Sequence, residues 1–285
     1  VYQNYGEGLS SFFNARNVTV RDNVVYDNIH ANLYVNDVQS AVVDSNIAYC
    51  SNDRRFWQMG ENPLGRENGY QPSRGLAIQD ETPAKKQEDK LDAASKTQPS
   101  SHITIANNIA AGCMNNFYFS KNSGSPGKDA PANDIRVFHN TLVEARGDVV
   151  DAYSNVLFTN KINPDADYFV NSLFANNLIA QWPSGKPDHI ISTWDKKNDL
   201  SFPPPGLEMR NNLYQFAPPA NFLSEPGQVI ADPLLFNAGG ALVAGLVNPD
   251  WYNIQPNSPA RNSGFLSTVV WTPFDFYGIA RQDGQ

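Results

Sequence analysis

One frame recurs six times along the chain: an apolar residue, two variable residues, an asparagine and a second short apolar run. It reads Val20-Arg21-Asp22-Asn23-Val24-Val25, Val43-Asp44-Ser45-Asn46-Ile47-Ala48 and Ile105-Ala106-Asn107-Asn108-Ile109-Ala110. It continues as Val137-Phe138-His139-Asn140-Thr141-Leu142, Phe174-Ala175-Asn176-Asn177-Leu178-Ile179 and Met209-Arg210-Asn211-Asn212-Leu213-Tyr214. Each copy reads as a short strand, a sharp corner and another short strand. Asparagine tolerates left-handed backbone and bonds nearby main chain, so the corner is expected at the asparagine itself. If the copies stack, successive asparagine side chains bond to one another and satisfy amides that burial would otherwise leave unpaired.

The asparagines are separated by 23, 62, 32, 37 and 35 residues. The shortest separation suits one coil of a parallel β-helix, and the longer ones suit coils with loops inserted on one side. Gly8-Leu9-Ser10 also matches Asn32-Leu33-Tyr34, and Tyr26 matches Tyr49. A β-sandwich of short strands is the competing architecture, but sandwich strands do not normally share a motif. The expected fold class is therefore all-β, a parallel solenoid with loop insertions and an irregular C-terminal tail. Coils are expected over 1–228, and a tail that packs on or caps them over 229–285.

With these repeats the chain resembles the right-handed parallel β-helix proteins, the superfamily of pectate lyases, polygalacturonases, alginate lyases and polysaccharide epimerases. The tail segments Asp232-Pro233-Leu234, Tyr252-Asn253-Ile254-Gln255-Pro256-Asn257-Ser258-Pro259-Ala260 and Asp275-Phe276-Tyr277-Gly278-Ile279-Ala280-Arg281 are similar to the C-terminal part of many secreted members. The resemblance implies a secreted or cell-surface protein with a polysaccharide as its partner. The three-Asp signature of polygalacturonases, the compact acidic motifs of mannuronan epimerases and the Arg-containing signature of pectate lyases are not found in the sequence. The resemblance thus points to a fold more firmly than to a reaction.

Composition narrows the partners. A net charge of −8 makes nucleic acid an unfavourable one. The same charge repels a polyanionic sugar unless a cation such as Ca2+ bridges the two. No apolar run is long enough for membrane insertion, and no secretory signal is present. Val1-Tyr2-Gln3-Asn4 matches Val25-Tyr26-Asp27-Asn28, so the sequence is expected to open partway through a coil as the later part of a longer chain. Cys50 and Cys113 follow Asn46 and Asn108 by four and five residues in adjacent coils. That places them near each other, either as a disulfide in an oxidising compartment or as two buried thiols.

Strand alternation then sorts the candidates for chemistry. With Leu9, Leu33, Leu76, Phe117 and Val150 inward, the outward set includes Tyr34, Gln79, Tyr118, Ser120, Asp151 and Tyr153. Tyr34, Tyr118, Tyr153 and Trp194 are expected to form one exterior column that stacks on sugar rings, with Gln79 and His30 beside it. Insertions at 53–74 and 82–100 bracket the strand that ends in Gln79-Asp80-Glu81, so Arg55, Glu81, Lys121 and Asp151 are expected around one cleft. Glu81 and Asp151 would serve hydrolysis at a separation of about 5–9.5 Å. Lys121 and Arg55 would serve β-elimination, abstracting a proton beside a neutralised uronate carboxylate. The expectation is an extracellular protein that cleaves glycosidic bonds, as a lyase or a hydrolase, in a groove on one sheet. The alternative is a non-catalytic carbohydrate-binding, adhesin or filament protein built on the same rod.

Overall fold

The computed structural model describes residues 1–12, 15–57, 72–80, 99–121, 131–147, 153–160, 169–181, 190–195, 203–220, 222, 224–240, 242–265 and 273–281, with the side chains of 160 and 193–195 left aside. The first round of strands is β1 (Glu7–Phe12), β2 (Val18–Arg21) and β3 (Val24–Tyr26). The second is β4 (Ala31–Asn36), β5 (Ala41–Asp44) and β6 (Ile47–Tyr49), and the third is β7 (Arg74–Asp80), β8 (Ser101–Ala106) and β9 (Ile109–Ala111). Then come β10 (Asn115–Lys121), β11 (Ala132–Phe138) and β12 (Thr141–Val143). A fifth round holds β13 (Val156–Asn160), β14 (Phe169–Val170), β15 (Ser172–Ala175) and β16 (Leu178–Ala180). The last comprises β17 (Ile191–Asp195), β18 (Leu207–Arg210) and β19 (Leu213–Tyr214), before the short β20 (Val229–Ile230).

The chain visits three sheets in rotation. The first sheet runs β1-β4-β7-β10-β13-β17, the second β2-β5-β8-β11-β15-β18 and the third β3-β6-β9-β12-β16-β19-β20. Neighbours within each sheet pair in parallel, as in Leu33↔Leu76 and Val43↔Ile105. Among the described residues helix is confined to α1 (Arg54–Trp57) and a 3-10 turn at Pro249–Tyr252. The protein is all-β, with three parallel sheets, an arrangement consistent with a parallel β-helix. Leu33, Leu76, Phe117, Val156 and Ile191 of the first sheet meet Val43, Ile105, Val137 and Phe174 of the second in one core.

The asparagine frame does what its spacing implies. Asn23 Nδ2 donates to Asn46 Oδ1 at 3.0 Å, Asn46 to Asn108 at 3.0 Å and Asn108 to Asn140 at 3.0 Å. Asn140 then donates to Asn177 at 3.0 Å and Asn177 to Asn212 at 3.1 Å. Each Oδ1 also accepts the backbone N–H of the preceding asparagine. The corner itself lies one residue earlier than the sequence suggests. Asp22, Ser45, Asn107, His139, Asn176 and Asn211 all have φ between 53° and 57°. The left-handed residue turns the chain, and the following asparagine, relieved of that task, points its amide inward.

Glu225 terminates this column. Its Oε1 accepts the Asn212 N–H at 2.7 Å and Asn212 Nδ2 at 2.9 Å, and its Oε2 accepts the Tyr214 hydroxyl at 3.0 Å. Burial pushes its carboxyl up to about 7, against the pull of those donated hydrogen bonds. Burial also pushes Glu144 up to about 7, although Arg146 Nη2 lies 2.6 Å away. A carboxyl raised from 4.5 to about 7 holds its proton in the folded state and releases it in the unfolded one across that interval. The folded state therefore binds more protons there, and stability falls as pH rises from 4.5 to about 7. Glu225→Gln keeps an acceptor for Asn212 and carries no charge. The expected result is a shallower fall across this interval and a higher unfolding midpoint than the unmodified protein above it, read by thermal unfolding against pH.

The disulfide is formed: Cys50 and Cys113 are bridged across neighbouring rounds with Cα atoms 4.8 Å apart. Trp57 packs against the pair, and its indole Nε1 donates to Ser51 O at 2.9 Å. The outer face of the third sheet is apolar and meets later chain, where Ile47, Tyr49, Ile109, Val143 and Leu178 cluster with Ala238, Leu242 and Tyr252.

Candidate functional site

The outer face of the first sheet carries side chains that its core face cannot hold. In-register partners place Ser10, Tyr34, Ala77, Tyr118, Leu157 and Ser192 in one row across the strands. Two residues on, Phe12, Asn36, Gln79, Ser120 and Thr159 form a second row. Alternation explains why: Leu76 and Ile78, or Phe117 and Phe119, are in the core, and the residues between them face outward. This face is not open. Tyr34 and Tyr118 are each 2% exposed and Gln79 is 3% exposed.

At the start of the strands Glu7, Ala31, Arg74 and Asn115 are in register. Gly75 lets β7 approach β10 here, since a Cβ at that position would lie 2.8 Å from Asn116 O. The Arg74 guanidinium lies 4.2 Å from the centre of the Tyr118 ring, a cation over an aromatic face. His30 Nδ1 and Glu7 Oε1 are 2.6 Å apart, and the His30 ring is 6.0 Å from that of Tyr34. The hydrogen bond with His30 pulls the Glu7 carboxyl below its usual range. Phe12 packs edge-on to Tyr34 at 5.3 Å.

Among the described residues, buried polar atoms without hydrogen-bond partners occur at both ends of β7 and at the start of β10, as well as on Arg210 and Arg281. On the two strands they are Arg74 Nε, Gln79 Oε1 and Asp80 Oδ2 of β7 and Asn115 Oδ1 of β10.

The residues expected from sequence reach different places. Tyr34 and Tyr118 share a row, with Ala77 between them. Tyr153 does not join it, because Leu157 is the partner of Tyr118 and Val156, not Val150, continues the inward frame of Phe117. Trp194 pairs with Thr159 and so belongs to the second row. Gln79 lies in that second row, and His30 stands beside Tyr34 through its contact with Glu7. Lys121 ends β10 in register with Asp80 and is 2% exposed. Arg55 lies on α1 and lines a cavity of about 400 Å3 with Tyr5, Ile29, Asp53 and Phe56. Glu81 and Asp151 lie outside the described residues, as does Val150.

Sequence reasoning missed Arg74, Asn115 and Glu7. A signal for Arg74 existed, because it immediately precedes the Gly75-Leu76 pair that matches Gly8-Leu9. That match sets Arg74 at the position of Glu7, at the mouth of the sheet. Among the described residues no group of three or more His, Cys, Asp or Glu side chains is placed to hold a metal ion. No protein-family model and no curated protein sequence matches the chain.

Proposed function

We propose that the chain is a right-handed parallel β-helix of the pectate lyase-like kind, secreted or displayed at the cell surface, that holds a polysaccharide against the outer face of its first sheet. The observation that carries this reading is Arg74 lying over Tyr118 on that face, at the start of the strands. A uronate carboxylate takes the guanidinium of Arg74, the one residue of β7 that is not fully buried. The buried disulfide supports an oxidising compartment. Cleavage of the glycosidic bond, hydrolytic or eliminative, is the chemistry proposed for this groove. Glu81 and Asp151, or Lys121 and Arg55, remain its proposed acid-base groups, with Ca2+ as a candidate bridge to an acidic polymer.

The test is incubation with acidic and neutral polysaccharides, with and without Ca2+, read by reducing ends, by ultraviolet absorbance of unsaturated ends and by gel retardation. Arg74→Ala is expected to weaken retention on an acidic polymer by about tenfold, since a charge-assisted hydrogen bond contributes roughly 1.5–3 kcal/mol. Equal retention of the variant and the unmodified protein would overturn this placement of the polymer. The burial of Tyr34 and Tyr118 favours a second reading, in which the aromatic row consolidates the sheet of a non-catalytic adhesin or filament protein. Binding without new reducing ends or unsaturated ends on any substrate would select it.

A further inference from the structure

The left-handed corner residues make a second outer surface, remote in the fold from the first sheet. Asn176 Nδ2 donates to Phe265 O at 2.9 Å and its Oδ1 accepts the Phe265 N–H at 2.7 Å. Asn211 Nδ2 donates to Ser263 O at 3.0 Å, and Arg281 Nη2 donates to Asn107 Oδ1 at 2.8 Å. The C-terminal segment thus straddles the corners and leaves a cavity of about 340 Å3, with Asn107, His139, Tyr252, Arg261, Tyr277 and Arg281 among its walls. Ligand sites of about 300–1,000 Å3 are the usual range, and this one suits a single small molecule.

Arg281 gives the cavity its chemistry. It makes no ion pair among the described residues, and its Nε is buried with no hydrogen-bond partner. Asp275 lines the same cavity; its Oδ1 accepts the N–H groups of Tyr277 and Ile279 at 2.9 Å each, and its charge acts on Arg281 without a direct ion pair. Asn107 cannot turn to offer anything else, because its Nδ2 is held by Asp44 Oδ1 at 2.9 Å. Asp44 in turn is paired with Arg21. Arg21, Asp44, Asn107 and Arg281 thus stand in one line, and Arg261 and Asp275 share the cavity wall with Arg281. Desolvation pulls the Arg281 guanidinium below its usual pKa, against the opposing charges of Asp275 and Asp44.

We infer that this cavity binds a small carboxylate-bearing ligand of monosaccharide size, a sugar acid, with its carboxylate on Arg281 and its ring among the amides and tyrosines of the walls. A guanidinium binds a carboxylate through charge-assisted N–H···O bonds, and Arg281 and Arg261 both line this cavity. Tyrosine faces and corner amides supply the stacking and hydrogen bonds that a sugar ring accepts.

Isothermal titration of the whole chain with sodium glucuronate, and with glucose as the neutral control, tests this. Glucuronate is expected to bind with one site per chain and to weaken as salt is raised, and glucose is expected to bind at least about tenfold more weakly. Arg281→Gln should weaken glucuronate by about ten- to a hundredfold. Because that variant also loses the bond to Asn107, its unfolding midpoint is measured alongside. Ala260→Phe, which fills the cavity and leaves Arg281 intact, provides the independent arm and should abolish binding. Absent or equal heats for the two ligands, unchanged affinity in Arg281→Gln, or unchanged affinity in Ala260→Phe would each overturn the assignment. None of these outcomes depends on the first sheet binding a polymer.

Discussion

Asn108→Ala is expected to destabilise the protein by about 4 kcal/mol, which approaches the whole stability of a small domain at roughly 5–15 kcal/mol. The side chain at 108 is the middle of the column. Its Oδ1 accepts the Asn46 N–H at 2.9 Å and Asn46 Nδ2 at 3.0 Å. Its Nδ2 donates to Val43 O at 2.9 Å, to Ala106 O at 2.8 Å and to Asn140 Oδ1 at 3.0 Å. Alanine restores none of these, and the Asn46 N–H is left without its acceptor in a water-free interior. Each buried group so orphaned costs about 1–3 kcal/mol, and no side-chain rearrangement within the frame replaces the partner. Asn23→Ala is the control, because Asn23 is the first member of the column and donates only to Arg21 O and Asn46 Oδ1. It should cost about 1 kcal/mol. Denaturant unfolding followed by circular dichroism measures both, and equal losses for the two variants would contradict a column whose interior members bear most of the load.

Removing the Cys50–Cys113 bridge is the second large effect. The two residues are 63 apart in sequence, so the bond closes a long loop that includes the insertions at 53–74 and 82–100. In the chain-entropy account, cross-linking a loop of this size stabilises the folded state by about 4 kcal/mol at 25 °C. The double substitution of Cys50 and Cys113 by serine also loses the contacts of Asn32 Nδ2 to the two sulfurs, at 3.5 and 3.4 Å. A fall in the denaturant midpoint equivalent to about 4 kcal/mol is expected. Reductant added to the folded protein should act slowly, since both half-cystines are fully buried. Equal midpoints for the unmodified and serine forms would show that the cross-link does not hold these rounds together.

The frame of the fold was legible because one residue type repeats in one chemical role. Asn23, Asn46, Asn108, Asn140, Asn177 and Asn212 announce six corners, and every corner is present. The backbone strain at those corners was not legible, because the left-handed position tolerates aspartate, serine, histidine or asparagine and so shows no repeat. The same variability hid the docking of the C-terminal segment on Asn107, Asn176 and Asn211. On the first sheet, Leu9, Leu33, Leu76 and Phe117 were enough to place Tyr34 and Tyr118 on the outer face. The next step failed at Val149-Val150-Asp151-Ala152-Tyr153, where an apolar-polar alternation resembles the true strand at Val156–Asn160. Alternation alone cannot separate two such runs a few residues apart, and a slip in frame moves an aromatic out of its row. Unpartnered atoms such as Arg74 Nε and Gln79 Oε1 are properties of three-dimensional packing, and no sequence pattern encodes them.

The amide column has a head and a tail. The amide-to-amide links all donate toward the C-terminal end of the stack and so share one polarity, while the other N–H of each Nδ2 turns back to backbone carbonyls such as Val43 O. The donating end carries partial positive charge, and Glu225, a carboxyl in place of a seventh amide, sits there. Reversing a single amide would set two NH2 groups face to face on one side and two carbonyls on the other, so the members can turn only together. Each amide is also tied to backbone, as Asn108 Oδ1 is to the Asn46 N–H and Asn108 Nδ2 to Ala106 O, so the sense of the row is set coil by coil and Glu225 caps a polarity already fixed.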